Sequence, residues 1–287
     1  MTKKTSCILV ITNYHVILFS EGKDLTRKQP KDYHLYDIKQ LINKQDFILA
    51  IIFQRGKTKT KLKLKTENLE VLLTVIRRLK QCQNSDHCSA ELELMIKSTQ
   101  ALESSTPDVK ELPATLDTFM DQYRGWCSYY ESTPNVAMTA WITRMFAEGN
   151  REIDLHRDLQ ASEFSDTTFD MLPLFNALQH DRYFSALTVQ DLKKEVLVKA
   201  LAELVLHNSH LKKLSFRKCS SEAFHHVFLS LSLNKRSAVQ LLDVSENAPV
   251  QQVNNIAGGL HGAVPTRTHT PKSSQLYDRT QAASAAI

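Results

Sequence analysis

The side chains able to do chemistry are few and widely spaced along this chain of 287 residues. Its five cysteines are an odd number without a Cys-x-x-Cys pair, which argues against a disulfide framework. Cys82, His87 and Cys88 lie close together, but their spacing matches no zinc module and a fourth ligand is missing. His225 and His226 have no acid or cysteine at catalytic spacing. We therefore expect no metal site and a reducing, cytoplasmic compartment.

The sequence motifs of common enzyme classes are also missing. The chain contains no G-x-G-x-x-G, G-x-x-x-x-G-K-[ST], H-E-x-x-H or G-x-S-x-G, and seven glycines are few for a phosphate-binding loop. Cys219 belongs to a repeated hydrophobic pattern, described below, which favours a structural role over a nucleophilic one. We therefore expect a protein that is not an enzyme and has neither catalytic residues nor a cofactor.

A row of lysines is the most distinctive charged feature. Lysine occupies every second position and alternates with Leu62 and Leu64 in the later part of the row, which comprises Lys57, Lys59, Lys61, Lys63 and Lys65. Because a strand has a period of two, this pattern predicts lysines on one face and leucines toward a core. Two interpretations stay open: the lysines protect an edge strand from aggregation, or they bind an anionic surface. Without interleaved aromatics or arginines, headgroup contact is favoured over base readout.

The net charge of +5 hides an uneven distribution along the chain. Residues 1–82 hold 17 Lys/Arg against 7 Asp/Glu, a net charge of +10, whereas the rest holds 19 against 24, a net charge of −5. This asymmetry predicts an electrostatic partner for the N-terminal part, with anionic membrane lipids preferred over nucleic acid.

The segment 1–82 predicts a small antiparallel sheet followed by a helix. Short β-branched and aromatic runs over 7–11 and 16–19 predict a hairpin, and further strands are expected over 33–38, 47–53 and 58–65. A helix is expected over 66–80, where apolar residues recur at helical spacing, namely Leu69, Leu72, Leu73, Ile76 and Leu79.

Residues 83–149 predict a linker followed by a helical adaptor. The stretch 101–113 is rich in Ser, Thr, Pro and acidic residues, so we expect a flexible connector and a domain boundary there. Two helical segments follow, the first including Phe119 and Tyr123, and the second over 136–146.

Residues 150–248 contain an internal repeat that fits the leucine-rich-repeat template L-x-x-L-x-L-x-x-N/C. Matches begin at Phe184, Leu211 and Val239, at nearly constant spacing, and a degenerate turn begins at Ile153. Each interval includes a segment with helical period. The framework positions expected to point inward or to end a strand are Leu187, Val189, Leu192, Leu211, Leu214, Phe216, Cys219, Leu242, Val244 and Asn247.

The positions between the framework residues are expected to form a protein-binding platform. Its exposed members are expected to include Ser185, Lys213, Ser215, Gln240 and Asp243. The pattern stops after Asn247, and residues 249–287, rich in Gly, Ser, Thr, Ala and Gln, predict a disordered tail.

This order of segments resembles the CARMIL family, the capping protein regulator and myosin-I linker proteins. The resemblance is carried by runs at 9–12 and 16–18 that look like early strands of a pleckstrin-homology (PH) domain, by Tyr33-His34-Leu35 with Ile38, and by residues 150–155, similar to the family's R-E-L-N-L motif. Residues 169–184 also match in spacing, and Gln190-Asp191-Leu192 corresponds to K-D-L. The resemblance covers roughly residues 7–248.

The resemblance implies an α+β protein: a partial PH-like antiparallel sheet with a C-terminal helix, a helical linker, and an α/β leucine-rich-repeat solenoid. Measured against the family, the first PH strands, the inositide-binding loop, later repeats and the capping-protein-binding segment are missing. We therefore expect a chain truncated at both ends, as an incomplete gene model or a short form.

The expected function is that of a non-enzymatic, membrane-associated adaptor similar to regulators of actin capping protein. The resemblance implies cytoskeletal protein partners and a location at the cytoskeleton and the inner face of the plasma membrane. The alternative is a nucleic-acid-associated leucine-rich-repeat protein, which the charge of residues 1–82 would also suit.

Overall fold

The computed structural model describes residues 6–20, 29–44, 48–66, 68, 71, 74, 75, 93–96, 114–159, 171–192, 194–219, 221–247 and 266–267. The chain divides into two compact units, unit 1 over Met1–Leu112 and unit 2 over Pro113–Ile287. Cys82, His87 and Cys88, the connector up to residue 113, and all five apolar residues of the predicted first helix lie outside the described residues.

Unit 1 contains two sheets built mainly from antiparallel strands. Strands β1 (Cys7–Ile11), β2 (His15–Ser20) and β3 (Lys31–His34) form one sheet in that order. The second sheet has the order β6-β5-β4-β7, built from β4 (Ile38–Lys44), β5 (Ile48–Arg55), β6 (Thr58–Lys65) and β7 (Glu93–Ile96). Strand β7 pairs with β4 in the parallel direction, while the other pairs are antiparallel. The predicted hairpin over 7–19 is confirmed.

The single strand predicted over 33–38 is wrong, because a 3-10 turn at Leu35–Asp37 separates β3 from β4. The His34 imidazole Nδ1 accepts a hydrogen bond from the Tyr36 N–H at 3.1 Å and so caps the turn. The Leu35 N–H donates to the Tyr14 carbonyl at 2.7 Å, which ties the turn to the preceding hairpin. The chain therefore changes from one sheet to the other at this turn.

The core of unit 1 is shared by the two sheets. Its fully buried members come from both, with Val16 from the first and Leu41, Leu49 and Ile51 from the second. Val75, one of three described residues in the helical segment after β6, packs against this core. Burial of these branched side chains is the main contribution to the stability of the unit.

Unit 2 begins with two capped helices, α1 (Leu116–Tyr129) and α2 (Val136–Ala147). The side chain of Thr115 accepts a hydrogen bond from the Thr118 N–H, and the side chain of Asn135 accepts one from the Met138 N–H. Side-chain oxygens at these positions satisfy N–H groups that a helix leaves without intrahelical partners. Both helices agree with the periodicity of the sequence.

In the described residues that follow α2, four parallel strands alternate with helices. The strands are β8 (Glu152–Asp154), β9 (Ala186–Gln190), β10 (Lys213–Arg217) and β11 (Leu241–Asp243), adjacent in that order. The intervening helices are α3 (Leu155–Leu159), α4 (Leu172–Leu178), α5 (Glu195–His207) and α6 (Ser221–Leu233). Thr266–Arg267, within the predicted disordered tail, form a short strand β12 parallel to β11.

One continuous hydrophobic core joins α1 and α2 to the parallel sheet. It extends from Phe119 and Trp141 through Phe175 and Leu201 to Leu242. The fold is therefore a mixed α+β structure: antiparallel sheets at the N-terminus, then helices and a parallel α/β sheet. In the described part of the chain, no helix has the length and apolar character needed to cross a bilayer.

Candidate functional site

The lysine row lies along β6, the edge strand of its four-stranded sheet. The row begins one residue before the strand, at Lys57. All five lysines, Lys57, Lys59, Lys61, Lys63 and Lys65, are exposed, while Leu62 and Leu64 are half-buried against the unit 1 core. The alternation arises because β6 is regular over its whole length and pairs with β5 without a register shift. Strand geometry thus places the ammonium groups along one edge, with Lys59 to Lys65 on the same face.

The face that carries the lysines is not wholly polar. Lys63 lies opposite Ala50, and Lys61 opposite Ile52, and both apolar partners on β5 are buried. Residues directly opposite on antiparallel strands share a face, so the ammonium groups border a covered apolar strip. Among the described carboxylates, none forms an ion pair with these five lysines.

In unit 2 the parallel register brings the framework residues together. Leu187, Leu214 and Leu242 lie side by side on adjacent strands, with Ile153 completing the row on β8. Side chains at equivalent inward positions of successive parallel strands form rows of this kind. The other framework residues are buried or half-buried beside this row or at the strand ends, namely Val189, Leu192, Leu211, Phe216, Cys219, Val244 and Asn247.

Cys219 and Asn247 connect the turns that follow successive strands. The Asn247 side chain accepts a hydrogen bond from the Cys219 N–H at 2.7 Å and donates to the Phe216 carbonyl at 2.7 Å. The Cys219 thiol donates to the Arg217 carbonyl, and burial raises the pKa of this thiol. A raised thiol pKa lowers the thiolate fraction, so the site is poorly suited to nucleophilic chemistry.

The strand positions that face away from the helices carry mixed charges. Lys213 Nζ lies 3.9 Å from Glu152 Oε2, so this pair spans the intervening strand β9. Arg217 Nη2 lies 3.5 Å from Asp243 Oδ2. Burial raises the pKa of the Asp243 carboxyl, but hydrogen bonds from Ser245 and Ser215 and the charge of Arg217 outweigh it, so the pKa is lower than usual.

The prediction that Ser215 is an exposed member of the platform is wrong. Ser215 is 1% exposed, because its hydroxyl donates to Asp243 Oδ2 at 3.2 Å and the neighbouring strands cover it. Ser185, Lys213 and Asp243 are half-buried, and Gln240 is exposed. The surface offered by the sheet is therefore formed by ion-paired side chains around a covered serine.

Sequence reasoning missed a second set of repeated polar residues, at the turns that precede the strands. Asp181, Asn208 and Asn234 recur at nearly the interval of the leucine pattern. The Asn208 side chain accepts hydrogen bonds from the N–H groups of His210 and Leu211, both at 2.8 Å. The regular spacing of Asp or Asn just before each strand is the signal that could have identified this set.

A third repeated feature is invisible to composition. Asp191, Lys218 and Glu246, which recur at the interval of the leucine pattern, all have positive φ, between 51° and 61°. This left-handed conformation turns the chain just after each strand and is rarely adopted by residues other than Gly, Asn and Asp. The repeat is therefore present in backbone conformation as well as in apolar pattern.

Within the described residues, no group of three or more His, Cys, Asp or Glu side chains is arranged to hold a metal ion. His225 and His226 are neighbours on α6, with ring centroids 6.1 Å apart. Cys7, Cys127 and Cys219 are free thiols. A scan against models of known protein families finds no match, and a search of curated proteins finds no match either.

Proposed function

We propose that this chain is a non-enzymatic adaptor that binds an anionic membrane surface through unit 1 and a protein through unit 2. In this proposal unit 1 is a PH-like module and unit 2 a leucine-rich-repeat solenoid, similar to the corresponding parts of CARMIL proteins. The cytoskeletal partners and the location at the cytoplasmic face of the plasma membrane come from that resemblance alone.

The observation that carries the membrane part is the lysine strand, β6 with the lysine that precedes it. Five exposed ammonium groups lie along this strand, and four of the lysines are paired with β5 residues in a regular register. None of the five forms an ion pair with a described carboxylate. Each lysine held near an anionic bilayer contributes about 1 kcal/mol to binding. A regular strand presents these charges without requiring the chain to become ordered on binding.

The leucine-rich-repeat part is supported by three periodicities in unit 2. The inward leucines, the residues with positive φ and the Asp or Asn residues before the strands each recur at β9, β10 and β11. In repeat proteins each unit packs only against its neighbours, and the contacts between successive turns follow this rule. Protein binding would use the face of the sheet with Lys213, Arg217 and Asp243.

The membrane proposal is tested by sedimentation of the full chain with vesicles of phosphatidylcholine, with and without phosphatidylserine. Replacing Lys61 and Lys63 by Glu should lower binding to the anionic vesicles by on the order of 100-fold. Replacing Lys31 and Lys39 by Glu makes the same charge change elsewhere in unit 1 and should have a much smaller effect. Equal losses in the two variants would refute a specific role for the strand.

Nucleic-acid binding is the second candidate, favoured by the net charge of +10 in residues 1–82. Counterion release makes such binding fall steeply with salt, as it does for vesicles, so salt alone does not separate the two. Competition does: duplex DNA that stays bound to the full chain in excess anionic vesicles would replace the membrane proposal.

A further inference from the structure

Three turns of unit 2 are stacked along one side of the parallel sheet, where its strands begin. They connect α4 to β9, α5 to β10, and α6 to β11. The Asn208 side chain donates to the carbonyls of Leu178 and Asp181 in the preceding turn, at 2.8 and 3.2 Å. The Asn234 side chain donates in the same way to the carbonyls of Val205 and Asn208, at 2.8 and 2.7 Å. The turns are therefore held directly beside one another.

Each of these turns carries at least one cation. Arg182 lies in the first turn, Lys212 at the end of the second, and Lys235 and Arg236 in the third. The Lys212 N–H donates to the Ser185 carbonyl at 2.7 Å, and the Gln240 N–H donates to the Lys212 carbonyl at 2.8 Å, which places Lys212 between its two neighbours. We call Arg182, Lys212, Lys235 and Arg236, together with Leu233, the turn rim.

Few of the described acidic groups lie near Lys212, Lys235 and Arg236. Glu203 on α5 lies 3.3 Å from the His207 imidazole, and Glu148 lies at the C-terminal end of α2, shortly before β8 begins. Among the described carboxylates, none lies within ion-pair distance of Lys212, Lys235 or Arg236, all of which are exposed. The turn rim is thus a positive surface within the part of the chain that is acidic as a whole.

The pKa of the half-buried His180 is affected by the same positive charges. Burial is the main reason that its pKa is lowered to about 4, and the charges of His207, Arg236 and Arg182 lower it further. Cations in the last turn of a helix also compensate the helix dipole. That role also suits Lys235 and Arg236, which closely follow the C-terminus of α6, but it does not account for Lys212, which precedes a strand.

An exposed leucine lies next to the cations. Leu233, the last residue of α6, is 61% exposed, and Leu229, one helical turn earlier, is 49% exposed. An apolar side chain that projects beside lysines and arginines suits the boundary between lipid headgroups and acyl chains, where both kinds of contact are favourable.

We propose that the turn rim is a second membrane-contact surface, which binds an anionic bilayer through Lys212, Lys235 and Arg236 and inserts Leu233 among the headgroups. This surface belongs to unit 2 and does not depend on the lysine strand of unit 1. Two weak surfaces on one chain strengthen each other when both can bind together, because the second contact is intramolecular. We infer a bilayer as the partner from the complementary charge of the turn rim and from its exposed leucine.

The test compares variants of the full chain on phosphatidylcholine vesicles with and without phosphatidylserine. Replacing Lys212, Lys235 and Arg236 by Gln should lower binding to anionic vesicles by on the order of 100-fold. The matched control replaces Lys194, Lys199 and Lys218 by Gln, an equal loss of charge among lysines of unit 2 outside the turn rim, and should change binding only a few-fold. Leu233→Ser should weaken vesicle binding by a factor that stays the same when the salt concentration is raised, because an apolar contact is not screened by salt.

Several outcomes would overturn the proposal. Equal losses of vesicle binding in the turn-rim and control variants would mean that only net charge matters. Unchanged vesicle binding by the turn-rim variant would show that the turn rim does not contact the bilayer. If that variant lost binding to duplex DNA or to polyglutamate but kept vesicle binding, the partner would be a polyanion instead of a bilayer. The Lys61/Lys63 variant, measured in parallel, tells whether the unit 1 proposal fails or holds independently.

Discussion

The lysine strand of unit 1 and the parallel sheet of unit 2 use polar residues in opposite ways. In β6 lysine occupies every second position along one strand, and the lysine side chains are exposed to solvent. In unit 2 the polar positions recur once in each repeat, and Asn208, Asn234 and Asn247 bond to the backbone of the preceding turn. We therefore expect that the lysines can be replaced without disturbing the fold, whereas the asparagines maintain it.

The largest expected effect tests the inward rows of unit 2. Leu214→Ala and Leu242→Ala remove buried side chains that lie side by side in the sheet, and each should lower the free energy of unfolding by roughly 2–5 kcal/mol. Lys213→Ala, on the other face of β10, loses only a distant ion pair with Glu152 and should cost less than about 0.5 kcal/mol. Urea denaturation of the full chain measures all three, and equal losses would contradict the register.

Much of this comparison could be read from the sequence. Lysine at every second position, with Leu62 and Leu64 between the later lysines, predicted the faces of β6 because a regular strand has a period of two. The template matches predicted the inward rows because the strands of successive repeats are equivalent. Both patterns are local or strictly periodic. They require no knowledge of which segments meet in space.

The features that sequence reasoning missed depend on contacts between distant residues. The break between β3 and β4 requires the Leu35 N–H to reach the Tyr14 carbonyl in the preceding hairpin. Ser215 is buried because Asp243, on the next strand of the sheet, accepts its hydrogen bond. The turn rim combines cations from three turns that become neighbours only when Asn208 and Asn234 bond across them. Sequence order alone does not reveal these neighbours.

The second prediction concerns pH and separates two neighbouring groups of the first turn. Burial raises the pKa of Asp181 to about 6, so between pH 6 and 4 the folded state retains a proton that the unfolded state has lost. This group therefore stabilises the fold as pH falls. The pKa of His180 is lowered to about 4, so over the same window the unfolded state binds a proton that the folded state does not, and stability falls as pH falls.

Since the two shifts are similar and opposite, they should nearly cancel in the wild-type chain. Asp181→Asn keeps an acceptor for the Tyr183 and Phe184 N–H groups but removes the stabilising titration, so it should lose more stability than wild type between pH 7 and 4.5. His180→Leu should lose less. At about 1.4 kcal/mol per pKa unit, each difference should reach roughly 2–3 kcal/mol. Urea denaturation at both pH values decides the point, and parallel behaviour of the two variants would contradict it.

The third prediction tests whether the repeated asparagines maintain the fold. Asn208→Ala leaves the N–H groups of His210 and Leu211 and the carbonyls of the preceding turn without their partner, and should cost roughly 1–3 kcal/mol. Ser209→Ala removes only a local contact with His210 and serves as the control. Chemical denaturation of the full chain measures the difference. If Asn208→Ala lowers the free energy of unfolding no more than the control does, Asn208 is a replaceable polar residue like the lysines of β6.

The smallest expected effect contrasts two lysines with one substitution. Lys218 has φ of 51° directly after β10, a conformation that glycine adopts at little cost, so Lys218→Gly should raise the free energy of unfolding by about 1 kcal/mol. Lys218→Ala is the control, because it removes the exposed ion pair with Glu246 without relieving the backbone. In regular β6, Lys61→Gly should instead lower stability by about 0.5–1 kcal/mol, since glycine weakens a strand. Thermal and urea unfolding measure the sign at each site, and the same sign at both would mean that the backbone of the repeat does not differ from that of the lysine strand in the way described.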